Sequence, residues 1–472
     1  MQEEREKPLQ KIRISPIINE NTPFPVRKGI FYGEETMAKS YEGKFWQYAL
    51  PSMLSQLLNS LFIIVDGFYV GQNMGDAGLA AINVAWPMVA LIQAVSMAIG
   101  TGGAVLLAIN VGRKDEASAR KAQDYSVLML AAAAIFFGLF YYVTYPAILP
   151  LLGANEELYP LAAEYMEVVC IFSMCQVMAT GLLPLLRGAG QTMSAMIMTI
   201  LGLIGNIYLD YLYIHHYHWG MAGAALATAI SQGVCAVPCF LLLHFRKSPK
   251  VSLWPLEPKR MLAISYFGFS AFGLTISSSV LILMGNLQAL KYGGTRGVAV
   301  YAILSYVLGS VIPLVSGVGE GIQPLLGNAY GACDYGAIGK LRKKGLLLSL
   351  ATAALCSVLC MVFKEQLPLL FGASPQAAEE GKNAMWTIAI AFPLMGLVRF
   401  SCSYFCALGM PGSSSLLAYG EPLVAQPIFL YLLPVFFALQ GVWLSYPAAM
   451  VLMTILVALL LKKHKTMEAN RG

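Results

Sequence analysis

Apolar residues fill long runs of this chain, and the breaks between runs are short and either charged or rich in glycine and proline. A helix needs roughly 20 apolar residues to cross the hydrocarbon of a bilayer. Twelve segments meet that requirement, at approximately 46–70, 80–109, 122–146, 160–184, 192–214, 221–245, 261–290, 298–325, 343–364, 383–408, 414–438 and 440–461. The pattern predicts an all-α integral membrane protein of twelve transmembrane helices.

The runs also repeat. At a shift of 219 residues Leu151-Leu-Gly-Ala154 recurs as Leu370-Phe-Gly-Ala373, Gly190 as Gly409, and Gly112-Arg-Lys-Asp115 as Gly331-Ala-Cys-Asp334. Two six-helix lobes follow, 46–245 and 261–461, joined by a linker at 246–260 and flanked by tails at 1–45 and 462–472. An even number of spans per half leaves both halves in one orientation, so their pseudo-twofold axis lies along the membrane normal. Two such lobes rocking about a central cavity move a solute by alternating access.

Composition and charge refine the picture. The chain is 57% hydrophobic and 12% charged, with mean hydropathy +0.65, against about 25% charged residues in soluble domains. Arg113, Lys114, Arg120 and Lys121 follow span two, Arg246, Lys247, Lys250, Lys259 and Arg260 follow span six, and Lys340, Arg342, Lys343 and Lys344 follow span eight. The alternate loops are poorer in such residues, which predicts that both termini are cytoplasmic. The net charge of +6 then reflects topology, and no basic soluble domain points to nucleic acid. The first 45 residues lack the apolar core of a signal peptide and read as a mobile cytoplasmic tail. Cys235/Cys239, Cys356/Cys360 and Cys402/Cys406 have i,i+4 spacing, which suits close helix packing better than metal binding.

Carboxylates break the repeat: Asp66 falls on Gly285 and Asp210 on Phe429 at the same shift. A mid-span carboxylate costs about 2.5–3.5 kcal/mol on insertion scales, so such residues face the bundle interior and usually serve a function. Asn206 and Asp210, four apart, share a helix face. With Asp66 and a hydroxyl such as Thr228 they supply the hard oxygen ligands that suit sodium. Alternatively, the two acids share a proton, because like charges in a dry site oppose one another's ionisation.

At these residues the chain resembles the multidrug and toxic compound extrusion (MATE) family, over essentially all of 46–461. The resemblance rests on Pro51 with Val65-Asp-Gly67 and Tyr69-Val-Gly71, Leu186-Arg-Gly-Ala-Gly-Gln191, Asn206-Ile-Tyr-Leu-Asp210, Gly319-Glu-Gly-Ile-Gln-Pro324 and Gly441-Val-Trp443. It implies efflux of lipophilic or cationic drugs driven by inward sodium or protons, with no other cofactor and a cation site at Asp66, Asn206, Asp210 and Thr228. Some relatives carry a coupling acid in span seven and an Asp in span ten; this chain has neither.

The second lobe offers Glu320, Arg399 and Glu421 instead. Arg399 lies well inside span ten and needs a partner, and Glu421 in span eleven is nearest in depth. The family resemblance makes Glu320, near the cytoplasmic end of span eight, a candidate gate or substrate-contacting acid, while its position equally suits a side chain that snorkels to the interface. A cavity lined by Met, aromatic and small polar side chains would accept varied flat molecules, with Gln56, Asn59, Met174, Gln176, Met178, Ser278, Met284 and Gln288 as candidates. The expectation is a monomeric transporter of the plasma membrane, in contact with lipids and small-molecule drugs. A lipid-linked saccharide flippase is the alternative within the broader superfamily. An intramembrane enzyme lacks a motif, since His215, His216 and His218 sit interfacially at the end of span five, and the repeat gives a receptor no support.

Overall fold

The computed structural model describes residues 34–245, 256–367 and 375–469, where every regular element is helical. The first tail up to residue 33, most of the 246–260 linker and the repeat element at 370–373 lie outside the described residues. The first lobe comprises α1 (Gly43–Gly75), α2 (Ala77–Gly112), α3 (Glu116–Leu151), α4 (Leu158–Ile171 and Ser173–Gly188), α5 (Thr192–His216) and α6 (Gly220–His244). The second comprises α7 (Pro258–Gly294), α8 (Arg296–Gly331), α9 (Tyr335–Val362) and α10 (Pro375–Ala389 and Phe392–Ala407). Its last stretch, Pro411–Lys463, divides at Ala438 into α11 (411–437) and α12 (439–463).

Three details depart from the expected straight spans. Helix begins at Glu34, within the stretch expected to be a tail. The α4 segment bends by 65° at Phe172, whose φ of −99° and ψ of 18° leave the helical region. A bend of 48° divides α10, and its second half restarts with Pro393 in the first turn, where a missing N–H costs nothing.

The sequence repeat is written into the backbone as well. Gly75 and Gly294, 219 residues apart, separate α1 from α2 and α7 from α8 with nearly identical angles, φ 61° and ψ −154° against φ 60° and ψ −155°. That region is essentially restricted to glycine. Lys114 and Cys333, again 219 apart, share φ near 60°. The next residue of each, Asp115 or Asp334, caps the following helix by accepting from the N–H of Ser118 at 2.9 Å or Ala337 at 2.8 Å.

The lobes interlock at the end that carries the basic loops. Phe45 and Ala49 of α1 lie in the apolar core of the second lobe. Their counterparts at the same shift include Ile264 of α7, which with Ala263 and Phe267 lies in the core of the first. Glycines permit the approach: a Cβ on Gly102 of α2 would lie 2.0 Å from the Ile264 carbonyl oxygen, and one on Gly321 of α8 2.7 Å from that of Tyr48. Beside them Gly327 faces Ala108, its own repeat counterpart, at 2.9 Å from the hypothetical Cβ. A residue meeting its own counterpart marks where the pseudo-twofold axis passes, between α2 and α8.

Candidate functional site

Asn206 and Asp210 are both fully buried on one face of α5. Neither the Asn206 amide nor the Asp210 carboxylate has a hydrogen-bond partner. Buried polar groups are paired in the great majority of cases, and an orphan costs about 1–3 kcal/mol, more if charged. Asp66, partly buried on α1, accepts from the Thr228 hydroxyl of α6 at 3.4 Å, a long contact. Asp66 and Asp210 lie within electrostatic range of one another. Tyr165 of α4 lies within range of both. A small cavity of about 10 Å³ beside Thr228 is lined by Tyr165, Gln176 and Gln232, about the space one water occupies.

Four helices thus converge on a knot of oxygens in one lobe. Immediately after Asp210, α5 changes to π winding over Tyr211–His216, a local irregularity frequent at functional sites. Among the described residues no group of three or more His, Cys, Asp or Glu converges on a point. The set holds the two carboxylates of Asp66 and Asp210 with neutral oxygens, a donor chemistry that suits a monovalent cation or a proton.

A second constellation lies between the lobes. Glu320 of α8 accepts from Gln56 Nε2 of α1 at 2.6 Å and from the Arg187 guanidinium of α4 at 3.1 Å. Both donors belong to the first lobe. The Arg187 side chain is 9% exposed and that of Glu320 22%, so the pair is screened less than a surface bridge. Nearby, Ser60 of α1 donates to the Gly309 carbonyl of α8 at 3.4 Å.

The match to known proteins runs through these helices: the MatE family profile covers residues 51–212 and 270–412. The chain belongs to the MatE family. Among MatE relatives, "Multidrug export protein MepA" of Staphylococcus haemolyticus is 24% identical over 88% of this chain and 91% of its own. A solved structure described as the outward-facing conformation of a multidrug resistance MATE family transporter of the MOP superfamily superposes with a TM-score of 0.86 at 21% identity. It covers 94% of this chain and 100% of that one. A Pyrococcus furiosus MOP superfamily transporter, whose description reports reverse polarity of its binding pocket, superposes at 0.85 with 22% identity, over 93% and 98%.

In this MatE chain Arg399 donates to Glu421 at 2.8 Å, with side chains 10% and 2% exposed. Glu421 opens a π-helical turn, Glu421–Ala425. The candidate cavity residues sit in differing environments. Gln56 serves Glu320, Gln176 lines the small cavity, and Asn59 and Met174 are exposed. Met178 packs on the core of the first lobe, Met284 on that of the second, and Gln288 is buried. The side chain of Ser278 lies outside the described residues.

Arg187 enters the sequence reading only as part of the Leu186–Gln191 motif, with no partner assigned, and Tyr165 does not enter it. Arg187 was legible in principle: α4 continues to Gly188, beyond the expected end at 184, which makes it a buried cation in need of a partner. Tyr165 carries no such signal, because an aromatic in an apolar run looks like any core residue.

Proposed function

We propose that this MatE protein is a secondary active exporter, antiporting lipophilic or cationic drugs against sodium or protons by alternating access of its two lobes. The observation that carries the reading is the pair of fully buried, partnerless groups Asn206 and Asp210 in one copy of the repeat only. A site needed for packing alone would be paired. The multidrug export named for its staphylococcal relative supports the same class of cargo.

The basic loops face the cytoplasm, both termini with them, and the protein works as a monomer in the plasma membrane. In the state described, Phe45 and Ala49, Ile264 and Phe267, and the Gln56–Glu320–Arg187 contacts close the cytoplasmic end. A cation entering from outside binds between Asp66 and Asp210 and lowers the cost of burying their charge. Gln56, five residues beyond Pro51, links any bend of α1 at that proline to release of Glu320. The drug leaves outward, the cytoplasmic end then opens, the cation is released inside, and the next drug enters the cavity. One inward monovalent cation at 100 mV supplies about 2.3 kcal/mol, close to fiftyfold in concentration.

Asp210→Asn in proteoliposomes is the decisive test. Uphill dye efflux driven by an imposed sodium or proton gradient should disappear while the protein stays monodisperse and helical. Undiminished gradient-driven efflux by this variant rejects the assignment. Comparing the two gradients in the wild type identifies the ion.

A further inference from the structure

A cavity of about 430 Å³ opens in the second lobe at the end with the basic loops, between α9, α10 and α12. Arg342 and Lys462 stand at its polar edge, and Leu346, Phe400, Ala458 and Leu461 form apolar walls. Such a volume is in the range of small-molecule sites. Arg342 is held in place over the ring of Tyr404, 5.9 Å from its centroid, so one of the two cations is pre-oriented.

At the corresponding corner of the first lobe the described residues are hydrogen-bonded and packed. Gln123, 219 residues before Arg342, donates to the Leu243 carbonyl at the end of α6 at 3.2 Å, and Arg120 donates to the same oxygen at 3.3 Å. Leu182, Leu185 and Cys239 there are completely buried. One lobe has closed this corner by hydrogen bonding, whereas the other leaves it hollow and replaces the neutral Gln with a cation.

We propose that this corner of the second lobe binds one anionic phospholipid, its phosphate between Arg342 and Lys462 and an acyl chain in the cavity beneath. Charge and depth select that occupant. Two cations at the predicted cytoplasmic interface match an anionic headgroup, and basic pockets between transmembrane helices on that side are where such headgroups bind. The walls below them are mainly apolar, Ser401 and Tyr404 apart, as an acyl chain requires and as a free phosphate does not. A lipophilic cation would meet two like charges at the entrance. The site is separate from the Asp66 and Asp210 region in the other lobe, so it stands whatever crosses the central path.

The test uses the full-length protein in nanodiscs of phosphatidylcholine and phosphatidylglycerol, with retained lipids counted by native mass spectrometry. The wild type should retain one tightly held phosphatidylglycerol, preferred over phosphatidylcholine by roughly thirtyfold for two cations. Arg342→Gln with Lys462→Gln should abolish the preference, whereas Lys343→Gln with Lys463→Gln, neutralising exposed neighbours, should keep it. Ala458→Phe fills the cavity without touching either cation and should also release the lipid. Equal loss in both neutralised pairs means a diffuse basic surface and overturns the site. Retention in Ala458→Phe, or full displacement by millimolar inorganic phosphate, removes the acyl chain from the account and overturns it equally.

Discussion

Arg187 and Arg399 are guanidinium groups placed where water is scarce, and each takes a carboxylate, but to different effect. Arg399 finds Glu421 within its own lobe, so the pair moves as one body with α10 and α11. Removing one member of a buried pair costs about 3–5 kcal/mol, whereas replacing both with apolar residues of similar volume is often neutral. Glu421→Gln should therefore lower thermal stability in detergent strongly, and Arg399→Met with Glu421→Leu should recover most of the loss. Arg187 instead reaches Glu320 across the lobes, so its partner is lost whenever the lobes separate at that end. Glu320→Gln should shift the resting population toward the inward-open state, read as faster labelling of cysteines introduced along α8. Exchanging the charges, Arg187→Glu with Glu320→Arg, should restore slow labelling if the pair acts as a latch. The Arg399 pairing was readable from depth alone. The Arg187 contact was not, because the expected span stopped three residues short and left the cation in a loop.

Helices carry the repeat more faithfully than their side chains do. All twelve expected spans have helical counterparts, since apolar run length reports the bilayer directly. The bends in α4 and α10 were illegible, because nothing in an apolar pattern records a change of axis. Turn geometry was only half legible: Gly75 and Gly294 occupy a region closed to other residues, yet Ala438 is forced into similar space, with φ 48° and ψ −132°. Such strain costs on the order of 1–3 kcal/mol. Ala438→Gly should raise the melting temperature, whereas Gly75→Ala should lower it, even though no neighbour crowds the new methyl group. At the start of α7, Glu257 binds Lys121 and Arg260, and these cations hold its carboxyl below the usual range. The bridge therefore contributes stability above the ordinary glutamate pKa of about 4.3, and that contribution is lost as pH falls through the lower folded value. Amide exchange in 257–262 should rise on acidification through that window and be insensitive to it in Glu257→Gln.

At the scale of the whole molecule, symmetry lies in the scaffold and asymmetry in the chemistry. Asp66, Asn206 and Asp210 belong to one copy, the Arg342 cavity to the other, and Glu320 joins them. The lobes and their relation followed from spacing. The joint did not, because a contact between α4 and α8 has no footprint in either run read alone. Phe45 and Ala49 filling the opposite core, with Ile264 and Phe267 returning the favour, has a consequence for assembly. Each half by itself presents an empty groove and a protruding helix end that fits it. Expressed as separate polypeptides, 1–250 and 251–472 should be unstable alone and co-purify when made together. A single lobe with both features would match a second copy of itself across a twofold axis, so the present chain has the architecture of a dimer joined covalently through its linker.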